Sequence, residues 1–386
     1  MIDRRTRTTR SPAAQNTDST LGFRTSRILP QKADVGSVSL SPDGRYIAIC
    51  DSEGFLDVYS LVNGRHLLDV STTLRPLDYE GVQHYCWAQP YVQPFNIGLI
   101  CVYHGGEIQL SEYRGPRSDG AWWTVSDPIH AHSTDVTSMC IDKTNNFVCT
   151  VAEDAMRLWQ VDDNWTLKLV AMEQHDFDIN GRLLQGAFFC GSLLYLPIGP
   201  KLVLSRSRCW ETRERIFDRC KDISTLYDIA ETFVSPDEKW MIGLDPGGGG
   251  HLYSTPELEH CTIVLGLNEK VKSVSFVEDS EAFVFGDPAG YIRIRSWGTS
   301  ETLGSLSHHT RKAVAGAVHS RTIDGITTIA SGTSRSTLFD EATVKIWTNA
   351  TLTPPDSYVP ILRSRNHHNN LLFGASLRSG EACRTR

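Results

Sequence analysis

No stretch of the 386-residue chain approaches the run of about 20 apolar residues that a membrane-crossing helix needs. Enzyme signatures are missing as well. There is no GxSxG, no HExxH, no P-loop and no glycine-rich dinucleotide pattern opening a helix, so no catalytic, cofactor-binding or metal-binding residue is expected. The ten cysteines include no CxxC pair and no zinc spacing. Cys50, Cys101, Cys140, Cys149 and Cys190 fall in apolar, strand-like segments, which reads as buried thiols in a reducing compartment. Met1 is followed by Ile2-Asp3-Arg4-Arg5-Thr6-Arg7 with no apolar core behind it, so a secretory signal is not expected. Asn164-Trp165-Thr166 and Asn349-Ala350-Thr351 then read as chance matches to the glycosylation pattern. The expected location is cytoplasmic, with the nucleus as the alternative.

What the chain does hold is a repeated strand grammar, most complete between His130 and Trp159. Val136, Ser138, Cys140 and Asp142 alternate with Thr137, Met139 and Ile141, the pattern of a half-buried strand, before the polar turn Lys143-Thr144-Asn145-Asn146. Phe147 to Ala152 is a second, apolar and β-prone strand. Glu153-Asp154 turns the chain, and Met156-Arg157-Leu158-Trp159 leaves the turn with an aromatic at its end.

The same order recurs along the chain. With the last residue of each third strand as anchor, the series is Tyr59, Leu110, Trp159, Leu204, Tyr253, Arg295 and Trp347. Five residues before them stand Gly54, Gly105, Asp154, Gly199, Gly248, Gly290 and Ala342. Spacings of 51, 49, 45, 49, 42 and 52 residues are those of four-stranded units carrying some long loops. Glycine suits the turn because it takes positive φ without steric cost.

The His130 to Trp159 unit resembles one blade of a WD-repeat β-propeller. His132 matches the family's loop histidine, Glu153-Asp154 its turn and Trp159 its terminal tryptophan, with Gln160 where the family has aspartate. The resemblance implies a hydrogen-bond chain inside the blade through His132, Thr150, Asp154 and Trp159, with Trp347 as the second tryptophan anchor. The fold expected is all-β, a single seven-bladed propeller of four-stranded antiparallel blades. It would span residues 21–353, between a disordered basic tail at 1–20 and a disordered tail at 354–386. The segment from Phe23 to Leu29, alternating and ending at Pro30, is expected to close the ring as the missing fourth strand of the last blade. Tyr358 to Leu362, flanked by prolines, is the rival.

Proteins of this family usually act as rigid scaffolds, so the resemblance implies a non-enzymatic protein or peptide binder. Plausible contacts on the loops before first strands are Tyr79, His130, Tyr227, Lys270 and Arg311. Two alternatives stay open. A nucleic-acid-associated propeller would use the basic tails and the strip from Arg206 to Lys221, although the net charge is −7 and aromatics for base stacking do not recur there. A propeller enzyme would gather groups such as Glu53, His104, Glu153 and Asp287 at the central channel. No membrane and no small-molecule substrate are expected.

Overall fold

The computed structural model describes residues 22–69, 81–88, 97–113, 123–142, 147–174, 187–190, 193–195, 229–255, 259–265, 271–277, 282–308, 314–334 and 342–349. All belong to the compact unit Met1–Ala350. The two tails, the strip from Arg206 to Lys221 and the rival closing segment Tyr358 to Leu362 lie outside the described residues.

Six antiparallel sheets with four strand positions each follow one another along the chain. Blade one is Val35–Leu40, Tyr46–Asp51, Leu56–Ser60 and His66–Asp69. Blade two is Val82–Ala88, Ile97–Tyr103 and Glu107–Tyr113, with an outer position split into Trp123–Val125 and Ile129–His130. The split falls at Ser126 to Pro128, where the Ser126 amide donates to the Leu110 carbonyl at 2.9 Å and its hydroxyl accepts from the Leu110 amide at 3.2 Å. Blade three is Val136–Asp142, Phe147–Ala152, Ala155–Val161 and Leu167–Gln174. Blade four is Glu231–Val234, Trp240–Leu244, Gly250–Ser254 and Glu259–Leu265. Blade five is Val274–Val277, Ala282–Gly286, Tyr291–Ser296 and Thr302–Ser307.

Blade six takes three strands from the end of the chain, Val314–Ile323, Ile326–Ser334 and Ala342–Thr348. Its fourth is Arg24–Gln31, which runs antiparallel to Ala342–Thr348 from Arg24 opposite Thr348 to Gln31 opposite Ala342. The expected N-terminal closure is therefore the one built. Pro30 is tolerated because an outermost strand leaves every second amide facing away from the ladder.

The expectation of seven four-stranded blades is corrected. Between blades three and four the described residues hold a two-stranded hairpin, Phe188–Cys190 with Leu193–Tyr195. The predicted glycine and anchor of that unit, Gly199 and Leu204, lie outside the described residues. The protein is a propeller of six four-stranded blades with this hairpin between two of them. Physically the hairpin is a wedge with two buried faces. Ala187, Phe189 and Leu194 pack on Phe147, Cys149 and Leu158 of blade three, whereas Phe188, Cys190 and Tyr195 pack on Met241 and Tyr253 of blade four. Burial on both sides explains the unbroken apolar run that spacing alone turned into a full blade.

The same reasoning explains which strands are easy to read. Second strands lie between two others and between two neighbouring blades. Ile97–Tyr103, Phe147–Ala152 and Ala282–Gly286 are accordingly buried at every residue, and their sequences are apolar throughout except for Thr150. Each seam between blades is a separate apolar cluster. At the closure, Leu29, Ala317 and Val344 of blade six meet Val38, Ile47 and Ile49 of blade one. Fully burying a leucine, valine or isoleucine side chain contributes about 1.5 to 3 kcal/mol.

Candidate binding site at the channel mouth

The predicted hydrogen-bond chain of blade three is built from three contacts. Trp159 Nε1–H donates to Thr150 Oγ1 at 2.9 Å, Thr150 Oγ1 lies 2.8 Å from His132 Nε2, and His132 Nδ1 lies 2.7 Å from Asp154 Oδ1. With a neutral imidazole protonated at Nδ1, Trp159 donates to Thr150, Thr150 to His132, and His132 to Asp154. Burial accordingly lowers the His132 pKa, outweighing the opposite pull of Asp154. For Asp154, burial works to raise the pKa but is overcome by the bonds from His132 and the Ser133 amide, leaving it below the usual carboxylate range.

The register shows where this device recurs. Trp159 faces Val148 across the ladder and reaches diagonally to the residue two further on, Thr150. Trp347 faces Ile329, and the residue two further on is Ser331, whose hydroxyl lies 2.8 Å from His308 Nε2. His308 meets Trp347 edge-on, with centroids 5.2 Å apart. Elsewhere the diagonal is filled differently. In blade five Arg295 lies over the Phe285 ring at 5.0 Å, and in blade four the Tyr253 ring lies so close to Gly243 that a Cβ there would be 3.3 Å away. The repeats look degenerate because one geometric slot has been filled by several chemistries.

A second device gathers loops onto one face. In the turns between second and third strands, Asp51 Oδ1 accepts from the amides of Glu53 and Phe55 at 2.9 and 2.8 Å. Asp245 does the same for Gly247 and Gly249 at 2.7 and 3.0 Å, and Asp287 for Ala289 and Tyr291 at 2.9 and 2.8 Å. Three residues after each aspartate stands a glycine with positive φ, Gly54 at 79°, Gly248 at 82° and Gly290 at 83°. These turns then clamp the segment leading into the next blade. The Gly54 carbonyl accepts from Val82 N at 2.8 Å, that of Gly106 from His132 N at 2.8 Å, and that of Gly290 from His308 N at 3.3 Å.

The first strands line the centre of the ring and are stitched to one another. Ser273 Oγ donates to the Val318 carbonyl at 3.1 Å, Ser320 N to Ser275 Oγ at 2.9 Å, Leu40 N to His319 Nδ1 at 3.3 Å, and Trp87 Nε1 to the Ser39 carbonyl at 3.2 Å. His84 Nε2–H donates to the Val136 carbonyl at 3.0 Å, and burial lowers its pKa. At the beginnings of these strands, on the clamped face, lies a cavity of about 620 Å³. Its walls come from four blades: Asp34, Gly36, Ser37 and Ser52 of blade one, Glu231 and Phe233 of blade four, Lys272 and Ser273 before blade five, and Gly316 and Ser334 of blade six.

Among the described residues, the side chains of Glu231 and Lys272, of opposite sign on this wall, make neither a hydrogen bond nor an ion pair. Both keep contact with water at the mouth. The protein packed around Glu231 nevertheless desolvates it and pushes its pKa upward. Phe233 adds an aromatic, and the serines add hydroxyls that donate or accept. Such a wall suits a ligand carrying both charges and amide groups.

Of the suggested contacts, Tyr79, Tyr227, Lys270 and Arg311 lie outside the described residues. His130 is exposed and ends the split outer position of blade two, opposite Glu107. The groups considered for channel chemistry are spread over separate turns. Asp287 is committed to its own turn and to Arg293, whose Nε donates to it at 2.9 Å. His104 Nδ1 lies 3.2 Å from Asp135, which also accepts from Gly105 N at 2.8 Å, tying that turn to the lead-in of blade three. Glu53 and Glu153 are exposed turn residues. Sequence reasoning missed Glu231 and Lys272, and also His308 and Ser331. Only the last pair had a sequence signal, a hydroxyl on the strand opposite Trp347.

Among the described residues no helix is long and apolar enough to cross a membrane. No family model matches the chain, and no curated protein matches it. Its class is set by the fold, a β-propeller of four-stranded antiparallel blades.

Proposed function

We propose that the protein is a non-enzymatic interaction scaffold of the WD-repeat kind, working in the cytoplasm, that holds a protein or peptide partner across the face where the channel cavity opens. The observation that carries this reading is the cavity wall, on which the Glu231 and Lys272 side chains, without an ion pair among the described residues, stand beside Phe233 and several serines. A polypeptide brings side chains of both signs together with backbone donors and acceptors, which complement such a wall. The clamped turns around the mouth support the reading as well, because a pre-ordered surface loses little conformational entropy on binding. Tyr79, Tyr227, Lys270 and Arg311, together with His130 at the end of the outer strand of blade two, are proposed as further contacts.

Affinity purification of the intact protein tests this, run beside a Glu231→Gln/Lys272→Met double variant whose circular dichroism confirms an unchanged fold. A protein retained by the wild type and lost from the double variant is the expected result. Identical sets of retained proteins would overturn the assignment of this cavity.

A further inference from the structure

We propose that Cys140 and Cys149 form a site of reversible oxidation, a cross-strand disulfide inside blade three. The two are directly opposed Cα partners on adjacent antiparallel strands. Residues so opposed lie about 4.5 to 5.5 Å apart at Cα, inside the range of about 4.4 to 6.8 Å that a disulfide spans. Both belong to one apolar cluster, Cys149 enclosed within it and Cys140 packed against it.

The other described ladder cysteines face different residues across their strands. Cys50 is opposite Ser37 and Leu56, Cys86 opposite Ile100, Cys101 opposite Tyr85 and Gln109, Cys190 opposite Leu193, and Cys261 sits at a register shift between His260 and Thr262. Cys140 is half-buried and Cys149 fully enclosed, so an oxidant meets Cys140 first.

The chemistry balances with a peroxide as oxidant. The Cys140 thiolate attacks one peroxide oxygen, the O–O bond breaks, and a sulfenic acid forms as hydroxide leaves and takes up the proton that Cys140 gave up. The Cys149 thiol then attacks the Cys140 sulfur, the S–O bond breaks, and the departing oxygen leaves as water with the Cys149 proton. Two thiols and one hydrogen peroxide give one disulfide and two waters, the sulfurs losing the two electrons that the peroxide gains. Burial raises the Cys140 pKa well above the usual thiol value, so the thiolate is scarce and the first step slow. The bond would lie at the seam with the hairpin, since Cys140 packs against the cluster containing Ala187 and Phe189, and Ser138 Oγ holds the Ala187 amide at 3.0 Å.

Mass spectrometry of the intact chain after treatment with hydrogen peroxide, alkylation and digestion without reductant tests the proposal. Trypsin cuts after Lys143, so Cys140 and Cys149 leave on separate peptides, residues 118–143 and 144–157, each carrying no other cysteine. The expected product is these two peptides joined, lighter by two hydrogens than their sum, and separated again by dithiothreitol. Cys149→Ser should abolish the link and Cys101→Ser should leave it. Unlinked, alkylated peptides after treatment of the wild type, Cys140 oxidised without Cys149, or Cys140 joined to Cys86 would each overturn the proposal. The wild-type measurement decides even if Cys149→Ser does not fold.

Discussion

The ring of Trp165 fills the space in which Gly98 would carry a side chain, so that a Cβ on Gly98 would stand 2.1 Å from Trp165 Cζ3. Trp165 belongs to the last hairpin of blade three and Gly98 to the second strand of blade two, so the contact locks two blades together. Its geometry has a local cost. Trp165 has φ of 57° in a turn whose Asp162 Oδ1 accepts from Asn164 N and Thr166 N at 3.0 and 2.9 Å. The burial of the indole offsets that strain.

Gly98→Ala should therefore destabilise the protein by about 1 to 3 kcal/mol through overpacking. Trp165→Ala should cost about 3 to 5 kcal/mol through the lost ring. Urea unfolding of the two single variants and the double variant checks the coupling, and the double should lose clearly less than the sum. Strict additivity would mean that the two residues do not share this space.

Thr150 is the middle of the blade-three chain, both acceptor and donor. Thr150→Val keeps the shape but leaves the Trp159 N–H and His132 Nε2 buried and unpaired, at about 1 to 3 kcal/mol for each group. Thr150→Ser keeps the hydroxyl, as blade six does at Ser331, and should cost about 1 kcal/mol or less. Equal unfolding midpoints for the two variants would show that the hydroxyl is not what matters.

Acid should weaken the fold in two stages. His132 and His84 have pKa values lowered by burial, so on unfolding each takes up a proton near its ordinary value of about 6.5 that it refuses when folded. Their stabilising contribution is complete above that pH and declines as pH falls toward the folded values. Asp154, also lowered, adds a second loss below the ordinary aspartate value of about 3.9. Thermal midpoints between neutral pH and pH 4.5 should fall through the first stage. A rising midpoint on acidification would contradict the neutral assignment of His132.

Ring closure gives another outcome. A chain beginning at Asp34 lacks Arg24–Gln31 and exposes the edge of Ala342–Thr348. It should unfold at lower temperature and self-associate through the bare edge. A chain ending at Ala350 keeps all of blade six and should unfold like the full chain. Light scattering during heating distinguishes the two, and the reverse ordering would contradict N-terminal closure.

Much of the fold was legible because strand periodicity and turn chemistry are local. Tyr59, Leu110, Trp159, Tyr253, Arg295 and Trp347 all fall within the third strands of their sheets. The glycine offset reflects a real turn, and the aspartate three residues earlier, at Asp51, Asp245 and Asp287, completes a signature that the glycines alone did not reveal. A further internal echo went unread. Ser41-Pro42-Asp43 and Ser235-Pro236-Asp237 build the same turn, with the serine hydroxyl donating to the aspartate at 2.6 Å in both and accepting from the amides of Tyr46 and Trp240 at 3.0 Å. Spacing misled where the hairpin Phe188–Tyr195 stands, because similar intervals between turn residues do not require each interval to hold four paired strands.

The candidate site was not legible for a different reason. Asp34, Glu231, Lys272 and Gly316 are far apart in sequence and meet only because four first strands converge on one channel. Nothing local distinguishes Glu231 from other polar residues at strand beginnings. His132 and Thr150 could be read because one blade contains both.

The most direct test of the account places a photo-crosslinking amino acid at Ser52, beside the cavity, and separately at Ile263, an exposed residue on the outer strand of blade four. Irradiation of cells producing each form should join a discrete partner protein to the Ser52 form and not to the Ile263 form. Crosslinks arising only from Ile263, or from neither residue, would contradict the claim that the channel mouth is the binding face.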